Sequence, residues 1–362
     1  MDYIQSHLKT SEYLQFTPGA PHYSVTALSS TNLSSSPRST SASSIITRPR
    51  FDELPLQPHH PKGSAWGLWG ADDERGTLNL LSEDVVRAAG MEVMDGKVIS
   101  LNLPLDVPLN PMNPRRKKCS HTIIAKGHAN DDEIDFNTQS SSHWDGLRHF
   151  PYSDCKTFYN GVTQDDISGP DANTKIGIQN LATKPIVSRG ILLDWYSYAQ
   201  REGLEISPFT NQAIPLSHIE NIAAEQGVTF SQGDVLLIRT GWTAAYHQLS
   251  EEEKENLGGR DDRASCGVEA TEESIRWHWE QGFAAVASDT VAYEAWPSPK
   301  AWGVSMHEVF LSGWGMPIGE CWDLEELSRT CQALGRWTFM LTSQPLNVPG
   351  GVASPANATA IF

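Results

Sequence analysis

The sequence predicts an α/β protein, because short apolar runs typical of buried strands alternate with segments that begin and end like helices. Two runs, SRGILLDW at 188–195 and GDVLLIRTGW at 233–242, are mainly apolar and are bounded by glycine and polar residues. A third run, FAAVASD at 283–289, follows directly after a helix-like segment. Continuous apolar runs are typical of strands buried on both faces, and their alternation with helices is typical of α/β folds.

Two helices are predicted from their end signals. In LSHIENIAAEQG, Ser217 followed by Glu220 predicts a capping box at the start, and Gly227 predicts the end. TEESIRWHWEQG has the same plan, with Thr271 as the N-cap, acids in the first turn and Gly282 after the last turn. We therefore expect one helix between the first two strands and another just before the third.

Composition divides the chain at residue 50. More than half of the positions between Ser24 and Thr47 are Ser or Thr. Such a segment buries too little apolar surface to offset its ordering entropy, which predicts a disordered tail over residues 1–50. Residues 51–362 are predicted to fold as one domain. The closing GGVASPANATAIF is rich in small residues, and we expect it to wrap the surface.

The overall composition describes a soluble globular protein that binds neither nucleic acid nor a membrane. Its 362 residues are 39% hydrophobic and carry a formal net charge of −17, whereas a nucleic-acid partner requires a basic surface. No run reaches the roughly 18 apolar residues of a membrane span. Five cysteines without a C-x-x-C pair predict reduced thiols and a cytoplasmic protein. An N-terminal stretch poor in acids leaves mitochondrial import as the alternative.

The segment NTQSSSHWDGLRHF, residues 137–150, has the residue types of a metal site. In an extended chain, His143 and Asp145 leave the same face, and a following glycine lets the chain bring His149 back toward them. Gln139 is positioned to add an amide oxygen. Imidazole with carboxylate suits Zn²⁺ or Mn²⁺. The same spacing also arises by chance, so packed or surface histidines are the alternative interpretation.

This segment resembles the signature of the putative cyclase family, which includes bacterial kynurenine formamidase and isatin hydrolase. The family motif is His-x-Gly-Thr-His-x-Asp-x-Pro-x-His, and its last three functional positions fall on His143, Asp145 and His149. GDVLLIRTGW, VASDT, HEVFLSGWGMPIGECWDL and the closing GGVASP are similar to later family segments, in matching order. SAWGLWGADDERGTLNLL resembles the eukaryotic, mostly fungal, branch.

The resemblance implies a cyclase-like swivelling β/β/α domain with a central mixed sheet, flanking helices and a divalent metal, Zn or Mn. The implied ligands are His143, Asp145, His307 and Glu320, with Gln139 in place of the motif's first histidine. Because an amide is a weaker ligand than an imidazole, at least one ion is expected, and one or two ions are both left open. The motif's Gly-Thr and Pro are also replaced, by serines and a leucine.

The implied activity is metal-dependent hydrolysis of a small cyclic or aryl amide or ester, such as a formamide, lactam or lactone. His149 is the expected general base, and Glu320 is expected both to bind metal and to orient the attacking water. Kynurenine formamidase-like activity, in tryptophan catabolism, is one option. The alternatives are a metal-dependent lyase or cyclase of a fungal secondary pathway, and a metal-poor non-catalytic relative. The expected partners are a small-molecule substrate and further copies of the chain, as a homodimer or homotetramer.

Four tryptophans are candidates for an aromatic wall around a planar substrate, although most of the 12 tryptophans must belong to the core. These candidates are Trp66, Trp69, Trp144 and Trp302. Arg148 is a candidate to bind a substrate carboxylate, with pairing to a neighbouring acid as the alternative.

Overall fold

A large mixed sheet forms the centre of the structure, a computed structural model that describes residues 48–362. The strands in chain order are β1 Val98–Ser100, β2 Ser120–Ala125, β3 Asn130–Asp135, β4 His143–Asp145, β5 Ile186–Asp194, β6 Ala213–Ile214, β7 Val235–Arg239, β8 Gly267–Val268, β9 Ala285–Ser288, β10 Ile318–Glu320, β11 Thr338–Ser343, β12 Ala353–Pro355 and β13 Ala358–Ile361. Nine of them form the central sheet, in the order β1-β13-β11-β5-β7-β9-β10-β4-β12.

The four middle strands β5, β7, β9 and β10 are parallel, and the outer strands pair antiparallel. β2 and β3 form a separate exposed hairpin, and β6 and β8 a short parallel pair. Parallel neighbours need crossover connections, which helices supply. The helices are α1 Glu83–Gly90, α2 Gln164–Ser168, α3 Gln179–Thr183, α4 Trp195–Arg201, α5 Leu216–Glu225, α6 Trp242–Gln248, α7 Glu251–Gly258, α8 Glu272–Gln281 and α9 Glu325–Leu334, and Glu308–Trp314 forms a π-helix.

The α/β class is confirmed, and the three predicted strands are the central ones, β5, β7 and β9. Their side chains alternate between two hydrophobic clusters, one on each face of the sheet. Leu236 and Ile238 of β7 lie in one cluster, whereas Leu237 lies in the other. Because these strands are buried on both faces, their sequences are continuous apolar runs and do not alternate between apolar and polar residues.

Both predicted helices are present, but the prediction of a capping box at the start of α5 is wrong. Pro215 occupies the N-cap position in an extended conformation, and Ser217 lies inside the first turn without capping it. A proline just before the helix has its φ fixed near the value required there, which moves the start upstream. Thr271 caps α8 as predicted, by accepting a hydrogen bond from the backbone N–H of Ser274. Gly282 ends α8 with φ 79°.

The prediction that the C-terminal segment wraps the surface is wrong, because it contributes β12 and β13 to the central sheet. Ala353, Ala356, Ala358 and Ala360 are buried. Composition alone does not reveal that these small side chains are part of the core.

The predicted disordered tail lies outside the described residues, except for residues 48–50. The boundary at residue 50 therefore stays a prediction. Among residues 48–362, no helix has both the length and the apolar character required to cross a membrane.

Candidate metal and active site

Two neighbouring strands bring together His143, Asp145 and Glu320. β4 and β10 pair antiparallel, with Glu320 opposite His143 and Ile318 opposite Asp145. Because side chains alternate along a strand, all three functional side chains leave the same face. His143 Nε2 lies 3.2 Å from Asp145 Oδ1 and 3.3 Å from Glu320 Oε2. All three residues are buried.

The opposite face of β4 carries Trp144, which corrects its prediction as a substrate-binding residue. Its indole N–H donates to the hydroxyl of Ser343 at 2.8 Å, and its ring lies 4.8 Å from that of Trp322. Trp322 in turn donates to the carbonyl oxygen of His143 at 3.1 Å. Trp144 therefore belongs to the core behind the cluster and has no route to a ligand.

His307 reaches the same cluster from the residue before the π-helix. Its Nε2 lies 3.0 Å from Glu320 Oε1 and 3.7 Å from Asp145 Oδ2. Its Nδ1 faces Glu294 Oε1 at 3.0 Å. The structure therefore brings His143, Asp145, His307 and Glu320 together, and their roles as metal ligands stay predictions.

Glu294 is a functional candidate that was missed in the sequence. It is fully buried and also accepts hydrogen bonds from the backbone N–H groups of Met306 and His307. A signal was present, since Glu294 is the one charged residue in the apolar run VAYEAW. Carboxylates are rarely buried without a partner, so an acid in such a run indicates a paired or ligating group.

His149 lies at the open side of the cluster. Its Nε2 is 3.5 Å from Asp145 Oδ2, and its side chain is 21% exposed, so it contacts both the buried acids and the adjacent cavity. Gln139 donates from Nε2 to Asp145 Oδ1 at 2.6 Å and lies 3.1 Å from His149 Nδ1. Since an ionised carboxylate only accepts hydrogen bonds, the amide nitrogen of Gln139 must face it. The expectation of an amide-oxygen ligand is therefore corrected: Gln139 is a hydrogen-bond donor in this arrangement.

The buried acids control the charge of the imidazoles around them. Burial opposes protonation of His143, but the nearby carboxylates of Asp145 and Glu320 raise its pKa to about 9. Burial likewise opposes protonation of His307, yet Glu294 and Glu320 raise its pKa well above the ordinary value. At His149 burial prevails and lowers the pKa, with Asp145 opposing the shift. The acids thus attract positive charge, which protons or a divalent cation would supply.

The residues of the cluster fit a divalent cation. One ligand atom each from His143, Asp145 and Glu320 lie within 4.8 Å of one another. Among the described residues, His143 Nε2 and Asp145 Oδ2 are buried and have no hydrogen-bond partner of suitable geometry. His143 Nδ1 faces the carbonyl oxygen of Ser141 at 2.7 Å. In the neutral imidazole this contact keeps the proton on Nδ1 and leaves the Nε2 lone pair for a metal.

A cavity of about 200 Å³ opens beside the cluster, and His149, His307 and Glu320 form its inner end. Phe150 and Trp296 supply its aromatic wall, with ring centroids 5.5 and 6.0 Å from that of His307. A cavity of this size has room for a small molecule.

The other predicted tryptophans do not line this cavity. Trp66 donates its indole N–H to the carbonyl oxygen of Ser312 at 2.6 Å, and Trp302 packs against Phe51 at 5.2 Å. Trp69 is partly buried against the main core. The aromatic-wall prediction is therefore corrected, because these rings complete the hydrophobic core instead.

Arg148 holds loops together and is not available for a substrate carboxylate. Its guanidinium donates to the carbonyl oxygens of Lys175, Asn173 and Gly350 at 2.7, 2.6 and 2.9 Å. Both predicted roles, a substrate clamp and an ion pair, are thereby corrected. The fork of donors on arginine suits convergent carbonyl oxygens as well as carboxylates.

Fold and site together define an α/β protein with a buried His/Asp/Glu cluster suited to a divalent metal. Residues 59–295, more than half of the chain, match the family described as "Putative cyclase". The chain belongs to the putative cyclase family, as the resemblance implied, whereas the fungal branch stays a prediction.

Solved structures agree with this assignment. A crystal structure described as that of a novel cyclase is 31% identical, has a TM-score of 0.72, and covers 83% of this chain and 99% of its own. Isatin hydrolase A from Labrenzia aggregata, bound to benzyl benzoate, and isatin hydrolase A from Ralstonia solanacearum share the fold at 17% and 15% identity. Each has a TM-score of 0.52 and covers 78% of this chain and 98% of its own. No curated protein sequence matches the chain.

Proposed function

We propose that this protein is a divalent-metal-dependent hydrolase that acts on a small cyclic or aryl amide or ester. One observation carries the proposal: His143 Nε2 lies 3.2 and 3.3 Å from two buried carboxylate oxygens, yet within residues 48–362 neither it nor Asp145 Oδ2 has a hydrogen-bond partner of suitable geometry. Leaving buried polar groups unsatisfied costs free energy, and a cation between them removes that cost. Family membership and the hydrolases among its structural neighbours support the same reading.

His143, Asp145, His307 and Glu320 would hold the ion, which we propose to be Zn²⁺ or Mn²⁺, since the donors are nitrogen and oxygen. Such an ion supplies Lewis acidity, which polarises a carbonyl and makes water a better nucleophile. The chain's own contribution is to bury the acids, fix the imidazole tautomers and exclude bulk water from the inner end of the cavity.

His149 is the proposed general base. Burial lowers its pKa, so its imidazole is neutral at pH 7 and can accept the proton of the attacking water. Its position between Asp145 and the cavity places it next to any carbonyl held at the cluster. The proton accepted from water is then available for the leaving nitrogen or oxygen. Glu320 belongs to the cluster and also lines the cavity, so it is placed to orient the water.

The test is an activity screen over formamides, lactams and lactones with Mn²⁺ and Zn²⁺ supplied separately, followed by His143→Ala and His307→Ala variants. His128→Ala, an exposed histidine on the hairpin turn, is the matched control. We expect both cluster variants to lose metal and turnover while remaining folded by circular dichroism, and the control to keep both. Full turnover in either cluster variant contradicts the proposal.

Two alternatives are separated by further measurements. A lyase or cyclase, to which the family's name points, would not incorporate oxygen from isotopically labelled water into product, whereas a hydrolase does. A non-catalytic relative would hold less than about half an equivalent of metal even after Mn²⁺ or Zn²⁺ is added, which elemental analysis measures. We also propose a homodimer or homotetramer, which light scattering tests, and retain kynurenine formamidase-like activity as one arm of the screen.

A further inference from the structure

Two arginines face the cavity without an acidic partner. Arg116 and Arg263 both line it, and neither forms an ion pair within residues 48–362. Most other arginines in the described part of the chain pair with a carboxylate. These are the arginines at 50, 87, 189, 201, 239, 260, 276, 329 and 336. Arg48, Arg75 and Arg148 also lack an ion pair, but each of them donates at least two hydrogen bonds to backbone carbonyl oxygens. Arg116 and Arg263 differ from these three because they line the cavity and make one side-chain hydrogen bond between them within the described residues.

Arg116 lies next to the reactive end. Its Nη1 donates to the carbonyl oxygen of Gln139 at 2.9 Å, and the Gln139 side chain contacts both Asp145 and His149. One guanidinium nitrogen is thus used for positioning, while Nη2 and Nε have no partner in the described part of the chain. Its charge is felt at His149, whose pKa it helps to lower.

Arg263 approaches the cavity from the loop between α7 and β8. It is exposed and makes no side-chain hydrogen bond to residues 48–362. Its loop is nevertheless held in place, because Ser265 and Trp296 exchange two backbone hydrogen bonds of 3.1 and 2.9 Å. This bridge fixes the loop against Trp296, the aromatic wall of the cavity.

We infer that Arg116 and Arg263 recognise a carboxylate on the substrate, so that the preferred substrate is an aryl amide or ester that also carries a negative charge. This inference rests on the proposed hydrolase function and specifies its substrate class. Phe150 and Trp296 would contact the ring, the cluster would receive the scissile carbonyl, and the guanidinium groups would bind the carboxylate. Arginine suits this task because its parallel N–H donors match the two carboxylate oxygens.

The inference is tested by binding rather than turnover, with two matched probe pairs: benzoate with benzamide, and anthranilate with 2-aminobenzamide. In each pair, a carboxylate is exchanged for a neutral carboxamide of similar size and shape. Dissociation constants are measured by calorimetry on the purified full-length protein, in wild type and in Arg116→Gln, Arg263→Gln and the double variant. Arg115→Gln, which removes the same charge one residue from Arg116 but outside the cavity lining, is the control.

We expect wild type and R115Q to prefer the anionic probe by about tenfold or more, as for charge-assisted hydrogen bonds. The double variant should lose most of this preference, and R263Q, at an exposed position, should lose part of it while folding normally. The preference should also weaken in high salt. An anion preference that persists in the double variant would instead come from the metal cluster and overturns the inference. Equal binding of both probes by wild type, or binding of neither at millimolar concentration, overturns it as well.

Failure of the arginine assignment and failure of the hydrolase proposal give different results. Probe binding needs no turnover, so a charge preference in a catalytically silent protein leaves the arginine assignment standing. Conversely, efficient hydrolysis of neutral lactams without any charge preference removes the arginine assignment and leaves the hydrolase proposal intact.

Discussion

Nδ1 of His307 lies 3.0 Å from Oε1 of Glu294, and both side chains are buried. This contact orients the imidazole so that its Nε2 faces Glu320 at 3.0 Å. A carboxylate that receives the second N–H of a histidine fixes its tautomer and ring orientation and makes the other nitrogen a better metal ligand. Glu294 is therefore a positioning residue, which acts through His307.

Replacing Glu294 should weaken metal binding without removing any ligand. We expect Glu294→Ala to lower metal affinity by roughly 10- to 100-fold and Glu294→Gln to lower it less, because the amide oxygen still accepts the N–H. Competition against a metal-sensitive dye measures the affinity. A purely structural role would lower the melting temperature of both variants and leave the affinity of the folded fraction unchanged, which is the contradicting result.

Gly319 should not tolerate a side chain. A Cβ at this position would meet the Cβ of Ala287 at 2.6 Å and the ring of Trp322 at 2.8 Å. We expect Gly319→Ala to destabilise the protein by about 1–3 kcal/mol through overpacking and to displace Glu320, with loss of bound metal. Denaturant unfolding and elemental analysis measure the two effects. Gly90→Ala is the control, since Gly90 ends α1 with open space around it, and no loss is expected there.

A histidine at position 139 should strengthen metal binding. The family motif has histidine where this chain has Gln139, and the amide nitrogen of Gln139 already lies 2.6 Å from Asp145 Oδ1. Exchanging a donor for an imidazole that can accept metal should raise the bound metal from about one to about two equivalents. Elemental analysis measures the change. Gln139→Asn is the control, because it keeps the amide and should leave the number of bound metal equivalents unchanged. If Gln139→His also leaves that number unchanged, the prediction is contradicted.

Stability should fall in mild acid because of His278. Burial lowers the pKa of this histidine from 6.5 to about 4, and its ring nitrogens contact Ser274 and Tyr293. Between these values the unfolded chain binds the proton and the folded chain does not. The contribution of His278 is therefore complete above pH 6.5 and is lost as the pH falls toward 4, by roughly 3 kcal/mol in total.

The measurement is the free energy of unfolding at several pH values between 7 and 4. His278→Gln should be less stable at pH 7 but should show a shallower loss toward pH 4. His247→Gln, at an exposed position, should keep the wild-type slope. An unchanged slope in His278→Gln shows that other groups cause the acid sensitivity.

The residues predicted best from sequence are those whose signal is local. Periodicity and caps located β5, β7, β9 and α8, and alternation along an extended segment placed His143 and Asp145 on one face. The failures have a common cause, which is that the partner of a side chain is not encoded near it. Arg148 and Trp144 sit inside the motif, yet their partners come from residues 173–175, 343 and 350.

The sequence by itself determined the strand and helix alternation, the two-residue spacing of His143 and Asp145 and, through family resemblance, the involvement of His307 and Glu320. Only the tertiary structure decided that β10 lies beside β4, that Glu294 orients His307, and that Arg116 and Arg263 rather than Arg148 face the cavity. Strand order and loop packing depend on contacts between residues far apart in the chain. Local propensity and periodicity carry no information about those contacts.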